Sequence, residues 1–335
     1  MSEHAEELRA LVADIAGAIP VAERSSDAMW QKLVDAGLSL VGVDEARGGS
    51  GGTYEDLLIV VCALGEQAAG APLAENALAS WVLAGDRTVG DQLAIAFGVD
   101  AVYEDEMSVV RIPQVPWLRQ ARGVVVYDRT GTASYVDVEA PGVEIHEGVN
   151  LAGEPRDDLI LRGTAAPGLA NAPDMAEAQA RFALLRAAAV AGAATGVYAL
   201  TRGYVMQREQ FGKPLARIPA VAAALAAMRV ATVRLDASIE RAVGHLARSG
   251  GTSPTFRAAV VAAGITTADT AAVCARHAHQ LHGAMGVTAE YPLHHYTKRL
   301  WSWPGEVGPE AGSARYLGKL ALAGGEAAVW DELTC

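Results

Sequence analysis

Cysteine is scarce in this chain, with 3 in 335 residues, at Cys62, Cys274 and Cys335. They lie far apart and form no C-x-x-C pair, which excludes a disulfide framework and a thiolate metal site and points to reduced, buried thiols. Proline is low at 14 and the 35 glycines follow no period, so collagen-like and proline-rich classes fall away. Positive charge is short too: 27 Lys and Arg face 39 Asp and Glu, a net charge of −12 that repels phosphate backbones and argues against nucleic-acid binding. Long hydrophobic runs are missing. The stretch Ala187 to Leu200 is Ala- and Gly-rich and shorter than the roughly 20 residues of a membrane span. The opening Ser2-Glu3-His4-Ala5-Glu6-Glu7 is acidic where a secretory signal would be basic. What remains, 51% hydrophobic and 20% charged residues, suits a soluble, cytoplasmic protein of two or three domains.

Three zones follow one another. Up to about Asp86 the pattern is amphipathic and helical, interrupted by Gly48-Gly49-Ser50-Gly51-Gly52, after which Thr53 reads as the N-cap of a helix running to Gly70. From about Asp91 to Ala165 short β-rich runs take over: Val124 to Tyr127, Ala133 to Val138 and Leu159 to Leu161, with a hairpin turn at Asp128-Arg129-Thr130-Gly131. From Pro173 Ala-rich helices return. After Pro219, Val221, Leu225, Met228, Thr232, Leu235, Ile239, Val243 and Leu246 recur on one helical face, opposite Arg234, Arg241 and Arg248, until Gly250-Gly251. Ser253-Pro254 then supplies an N-cap and first-turn pair for a helix to about His282. Small side chains let such helices approach closely, as a bundle requires. The expected domains are 1–88, N-terminal and helical; 89–170, a middle β domain; and 171–335, a helical bundle.

Two segments carry candidate chemistry. Arg208-Glu209-Gln210-Phe211-Gly212-Lys213-Pro214-Leu215 ends one long helix; its Arg can clamp an anion while the ring stacks on a flat ligand, and a plain helix–turn–helix link is the alternative. His279-Gln280-Leu281-His282-Gly283-Ala284-Met285-Gly286, followed by Glu290-Tyr291-Pro292, offers glycines that admit a ligand close to the backbone and an amide for a polar ring edge; alone it reads as a helix C-cap.

In this order and separation the two segments resemble the R-x-x-F-G-K-P and Q-x-x-G-G-x-G motifs of the acyl-CoA dehydrogenase family. Trp30 to Gly37, then Val41 to Glu45 and Gly48-Gly49, is similar to an N-terminal stretch of the same family. The resemblance implies a mainly α fold with a small β domain: an N-terminal helical domain, a middle β domain and a C-terminal four-helix bundle. It further implies an FAD-dependent enzyme of lipid metabolism that forms a Cα=Cβ double bond in an acyl-CoA thioester, a carboxylate taking the α-proton and the flavin a hydride. The flavin would lie at a subunit interface of a homo- or hetero-oligomer, dimer or tetramer, with Arg208 and Phe211 serving a flavin held mainly by a neighbour, and Gln280, Gly283 and Ala284 against its adenosine–pyrophosphate part. An electron-transfer protein would be a further partner.

Departures from the family pattern bear on the base. The family's Y-E-G-T glutamate corresponds to Val307, with Glu306 one residue before it in Trp301-Ser302-Trp303-Pro304-Gly305-Glu306-Val307-Gly308. A second family placement, on a bundle helix ahead of the motif Arg, falls on Phe182. Glu306 is therefore the candidate catalytic residue. The β zone lacks the family's T-E-P-x-A-G-S-D and W-x-T-N segments, and Pro219 replaces a cofactor-bonding Gln. Short members with an L-H-G-x-M-G motif resemble small subunits of actinobacterial heteromeric dehydrogenases acting on sterol-derived acyl-CoA, in which a larger partner supplies the base. The alternative function is thus a non-catalytic partner subunit that completes the flavin site; a helical scaffold without flavin is a third reading. Among His277, His279, His282, His294 and His295, positions 277 and 279 lie about 200° apart on a helix, so His279 and His282 alone could converge, and no metal site is expected. Trp301 and Trp303 suit core packing or an acyl pocket, and Glu104-Asp105-Glu106 a solvated loop.

Overall fold

The computed structural model describes residues 4–84, 92–99, 101–104, 107–163, 166–307 and 310–334. The 88/89 boundary, Asp105, Glu106, Ala165, Gly308, Cys335 and the first three residues lie outside the described residues. By packing, the chain divides into two compact units: Met1–Ala5, Ser25–Leu57 and Gly70–Phe182 in the first; Glu6–Arg24, Leu58–Ala69 and Ala183–Cys335 in the second.

In the first unit, α2 (Asp27–Asp35) is followed by a glycine-rich turn, the start of α3 (Tyr54–Glu66), and α4 (Leu73–Leu83). Gly49 is required at its place: a Cβ there would sit 2.1 Å from the Val43 carbonyl oxygen. Thr53 caps α3 reciprocally with Asp56. The Asp56 N–H donates to Thr53 Oγ1 at 3.1 Å, and Asp56 Oδ2 accepts from the Thr53 N–H at 2.7 Å. The helix stops at Glu66, short of Gly70, because Ala68 turns left-handed at φ 51°. The β zone forms two sheets. One has the order β1 (Leu93–Val99), β4 (Gly123–Asp128), β5 (Ala133–Asp137), with β1 and β4 parallel. The other has the order β2 (Ala101–Glu104), β3 (Met107–Pro116), β7 (Arg156–Arg162), β6 (Val143–His146) and is antiparallel. Val124, Val126, Val136, Ile112, Leu118 and Leu159 fill the core of this region. The hairpin between β4 and β5 is the expected one: Gly131 takes φ 88° and Asp128 Oδ1 accepts from the N–H groups of Thr130 and Thr132.

The second unit holds α1 (Ala5–Gly17) and the long helices α5 (Met175–Gln207, from Ala183 onward), α6 (Pro219–Ser249) and α7 (Pro254–His282), then α8 (Leu293–Ser302) and α9 (Glu310–Thr334). The periodicity after Pro219 is realised: Met228, Thr232 and Leu235 are buried and Gly250 ends α6 at φ 79°. Ser253 and Pro254 open α7. Helices α3 and α5 cross closely through glycine. A Cβ on Gly192 would lie 1.9 Å from the Cys62 carbonyl oxygen, and one on Gly65 would lie 2.3 Å from that of Ala189. Burial pushes the Cys62 and Cys274 thiols up to about 12, which suits inert, reduced cysteines. Two helical stretches, Met175–Gln207 and Pro254–Val287, are long and apolar enough by composition to cross a membrane, longer than the apolar run in the sequence suggests. Of their most apolar windows, 67% and 50% are buried inside the protein, as core helices are.

Candidate functional site

The first motif begins where α5 ends. The Arg208 N–H donates to the Tyr204 carbonyl at 2.8 Å, and the Leu215 N–H returns to the Arg208 carbonyl at 2.8 Å. Between them β8 (Glu209–Gln210) and β9 (Lys213–Pro214) pair as a minimal hairpin. Its two tip residues, Phe211 and Gly212, have φ of 53° and 73°, the sign pattern of a type I′ turn. Glycine adopts this backbone freely, whereas phenylalanine is strained there. Its ring stands outward at 86% exposure. Arg208 is exposed beside it, with no ion-pair partner among the described residues.

The second motif ends α7. Gly283 is the C-cap at φ 56° and ψ −135°, its N–H donating to the His279 carbonyl, and a Cβ there would meet open space. Ala284 is exposed in the turn Gly283–Val287 that follows. Gln280 is exposed in the last turn of α7, its amide beside His277.

Side chains bring these two ends together. The Tyr204 ring, one turn before Arg208, stacks on His282 with centroids 4.5 Å apart and planes at 26°. Tyr291 meets Tyr204 edge-on at 6.0 Å and shares a 3.1 Å hydrogen bond with His282 Nε2. Arg208, Phe211, Gln280, Gly283 and Ala284 therefore lie at one corner of the bundle. A guanidinium, an amide, an open backbone turn and an exposed ring fit a dinucleotide: the first two suit an anionic pyrophosphate, the ring a flat heterocycle. His279 and His282 do not converge. His279 bonds Thr297 at 3.0 Å and stacks on Trp301 at 5.4 Å, whereas His282 faces the tyrosines. Burial lowers the pKa of both. Trp303 is core at 3% exposure, while Trp301 is 53% exposed.

Glu306 lies elsewhere in the unit, in the turn Trp303–Val307 after α8. Its carboxylate sits 2.9 Å from the Arg186 guanidinium of α5, with side chains 15% and 5% exposed. Phe182, at the other base position, is buried and packs at 6.0 Å on Phe97 of β1 in the first unit. Arg186 and Tyr204 stand outside both sequence motifs. A charge inside an Ala-rich helical run was the available signal for the first, and the one-turn spacing from Arg208 for the second.

A helical start, two small sheets and a bundle of long helices in this order make up the acyl-CoA dehydrogenase fold. A crystal structure of the ChsE4-ChsE5 complex from Mycobacterium tuberculosis superposes with a TM-score of 0.83 at 24% identity, covering 97% of this chain and 98% of that one. A variant of the Tcur3481-Tcur3483 steroid ACAD gives 0.84 at 23% identity, covering 96% and 98%. Residues 175–302 match the family model of the acyl-CoA dehydrogenase C-terminal domain. Acyl-CoA dehydrogenase FadE34 of Mycobacterium tuberculosis is 31% identical over 85% of this chain, and the chain spans 40% of its length. Residues 175–302 are thus an acyl-CoA dehydrogenase C-terminal domain, and members of that family are FAD-dependent.

Proposed function

We propose that this chain is the partner subunit of a heteromeric, FAD-dependent acyl-CoA dehydrogenase, cytoplasmic and acting on a sterol-derived acyl-CoA. The reaction of the pair forms a Cα=Cβ double bond in the thioester: a carboxylate removes the α-proton and FAD supplies the hydride acceptor. This chain contributes its bundle corner. Arg208 pairs with the pyrophosphate, Gln280 hydrogen-bonds the nucleotide, Gly283 and Ala284 allow close backbone approach, and Phe211 covers a flat ring. The observation that carries the reading is that the two family base positions hold Val307 and Phe182, neither of them a carboxylate, while the neighbouring Glu306 is engaged by Arg186 at 2.9 Å. The likeness to folds from a two-protein complex and a steroid ACAD supports the same reading. The electron acceptor would be a further protein.

A second reading makes the chain itself the enzyme, with Glu306 as base. Its support is the one-residue offset from the family position and the shielding of the carboxylate, 15% exposed. One experiment separates the two. The chain is purified alone and with the polypeptide that co-purifies with it, its visible spectrum and mass are recorded, and acyl-CoA is offered with an artificial electron acceptor. The partner reading expects a colourless chain that turns yellow and active in the pair, with Glu306→Gln leaving turnover intact. A yellow chain that turns over alone and is abolished by Glu306→Gln would reject it.

A further inference from the structure

The two flavin motifs are 72 positions apart in sequence, from Arg208 to Gln280, and each is a short turn at a helix end. A dinucleotide bridging them needs the turns at a constant separation, which neither turn secures by itself. The side chains between them are arranged to do this. His282 is 3% exposed and its Nδ1 lies 2.8 Å from the Ala278 carbonyl. A carbonyl can only accept, so Nδ1 carries the proton and donates. The neutral ring then offers Nε2 as an acceptor, and the Tyr291 hydroxyl donates to it at 3.1 Å. Tyr204 from α5 lies flat on the same imidazole at 4.5 Å and meets Tyr291 edge-on at 6.0 Å. One hydrogen-bonded ring is thus gripped from two elements. The gripping residues adjoin the motifs directly: Tyr204 accepts the Arg208 N–H, and His282 precedes Gly283.

We propose that Tyr204, His282 and Tyr291 are positioning residues, a three-ring clasp that makes the hairpin at 208–215 and the turn at 283–287 move as one body and so presents Arg208 and Gln280 to a single dinucleotide. The dinucleotide in this statement rests on the flavin reading above; the mechanical coupling does not.

Hydrogen exchange on the chain of 335 residues tests the coupling directly. His282→Leu removes the ring and Tyr291→Phe removes a single hydroxyl. With His282→Leu, amides in both 208–215 and 283–287 exchange at least about tenfold faster; with Tyr291→Phe the factor is about three to ten, the range of one hydrogen bond. Amides at 228–242 in α6 keep their wild-type rates. A mere loss of local packing would accelerate 283–287 alone, since both substitutions lie on that side; this outcome overturns the clasp, as does acceleration in neither segment. Should His282→Leu loosen α6 as well, Tyr291→Phe decides. In the yellow pair, His282→Leu also releases FAD on dilution about tenfold faster. Failure of the flavin reading shows separately, as a pair that never turns yellow while the exchange coupling persists.

Discussion

Arg208 and Glu306 lie in the same helical unit and are both candidates for chemistry from the sequence, yet they are kept in opposite states. Arg208 stands exposed at the bundle corner without an ion-pair partner among the described residues, beside a ring at 86% exposure. Glu306 is folded inward onto Arg186 at 2.9 Å. An exposed cation loses little by waiting for an anion, because water solvates it. A carboxylate shielded to 15% exposure would be costly without a partner, so its position goes with the counter-charge of Arg186. The contrast separates two tasks that a single-chain enzyme must combine. A surface that binds a cofactor can stay open until a neighbour covers it, whereas a base must keep its lone pair aimed at substrate.

Breaking the closed side should have the largest effect. Arg186→Met takes the guanidinium away from the shielded Glu306 carboxylate and lowers unfolding free energy by about 3–5 kcal/mol in urea titration, while the double change with Glu306→Leu recovers most of the loss. A single change that costs less than about 1 kcal/mol would mean that the pair is not holding the turn. Gly192→Ala drives a methyl into the Cys62 carbonyl and costs about 1–3 kcal/mol by overpacking, a reference for how tightly the bundle interior is built. On the open side, Arg208→Gln leaves the melting temperature unchanged and weakens FAD retention in the pair by about 10- to 100-fold, the scale of one charge-assisted hydrogen bond. Equal retention would remove Arg208 from the site.

Acid should also distinguish the two sides. His295, in the α8 helix leading to the Glu306 turn, has its pKa pushed from 6.5 to about 4 by burial first, then by His294, Arg299, Lys298 and Arg24. The unfolded chain takes up this proton between those values and the folded chain does not. Stability is therefore full above pH 6.5 and falls as pH drops toward 4, by roughly 1–2 kcal/mol once solvent screening is allowed for. His295→Leu should flatten that part of the urea-midpoint profile. Smallest is Phe211→Gly. Relieving the left-handed backbone raises stability by about 1 kcal/mol, yet FAD retention falls because the ring is gone.

Much of the architecture was legible because local rules acted alone. Thr53 and Asp56 cap α3, Gly131 turns a hairpin, Pro219 and Pro254 open helices, and Gly250 closes one, each through its own backbone chemistry. The glycines of α5 were less readable. Gly192 serves a crossing with α3, a helix far away in sequence, and a linear pattern does not hold that distance. The candidate corner was legible as two motifs, while the stack of Tyr204 on His282 that joins them was not, since stacking leaves no periodic trace. Glu306 could be found by position, but its engagement with Arg186 depends on how the turn after α8 meets α5.

The hairpin at the bundle corner has one more consequence. With two residues at its tip, both of left-handed hand, it presents the benzyl group of Phe211 to solvent. With Met206 at the end of α5 and Met285 and Val287 in the turn after α7 also exposed, this apolar surface links the chain's colloidal behaviour to whatever docks there.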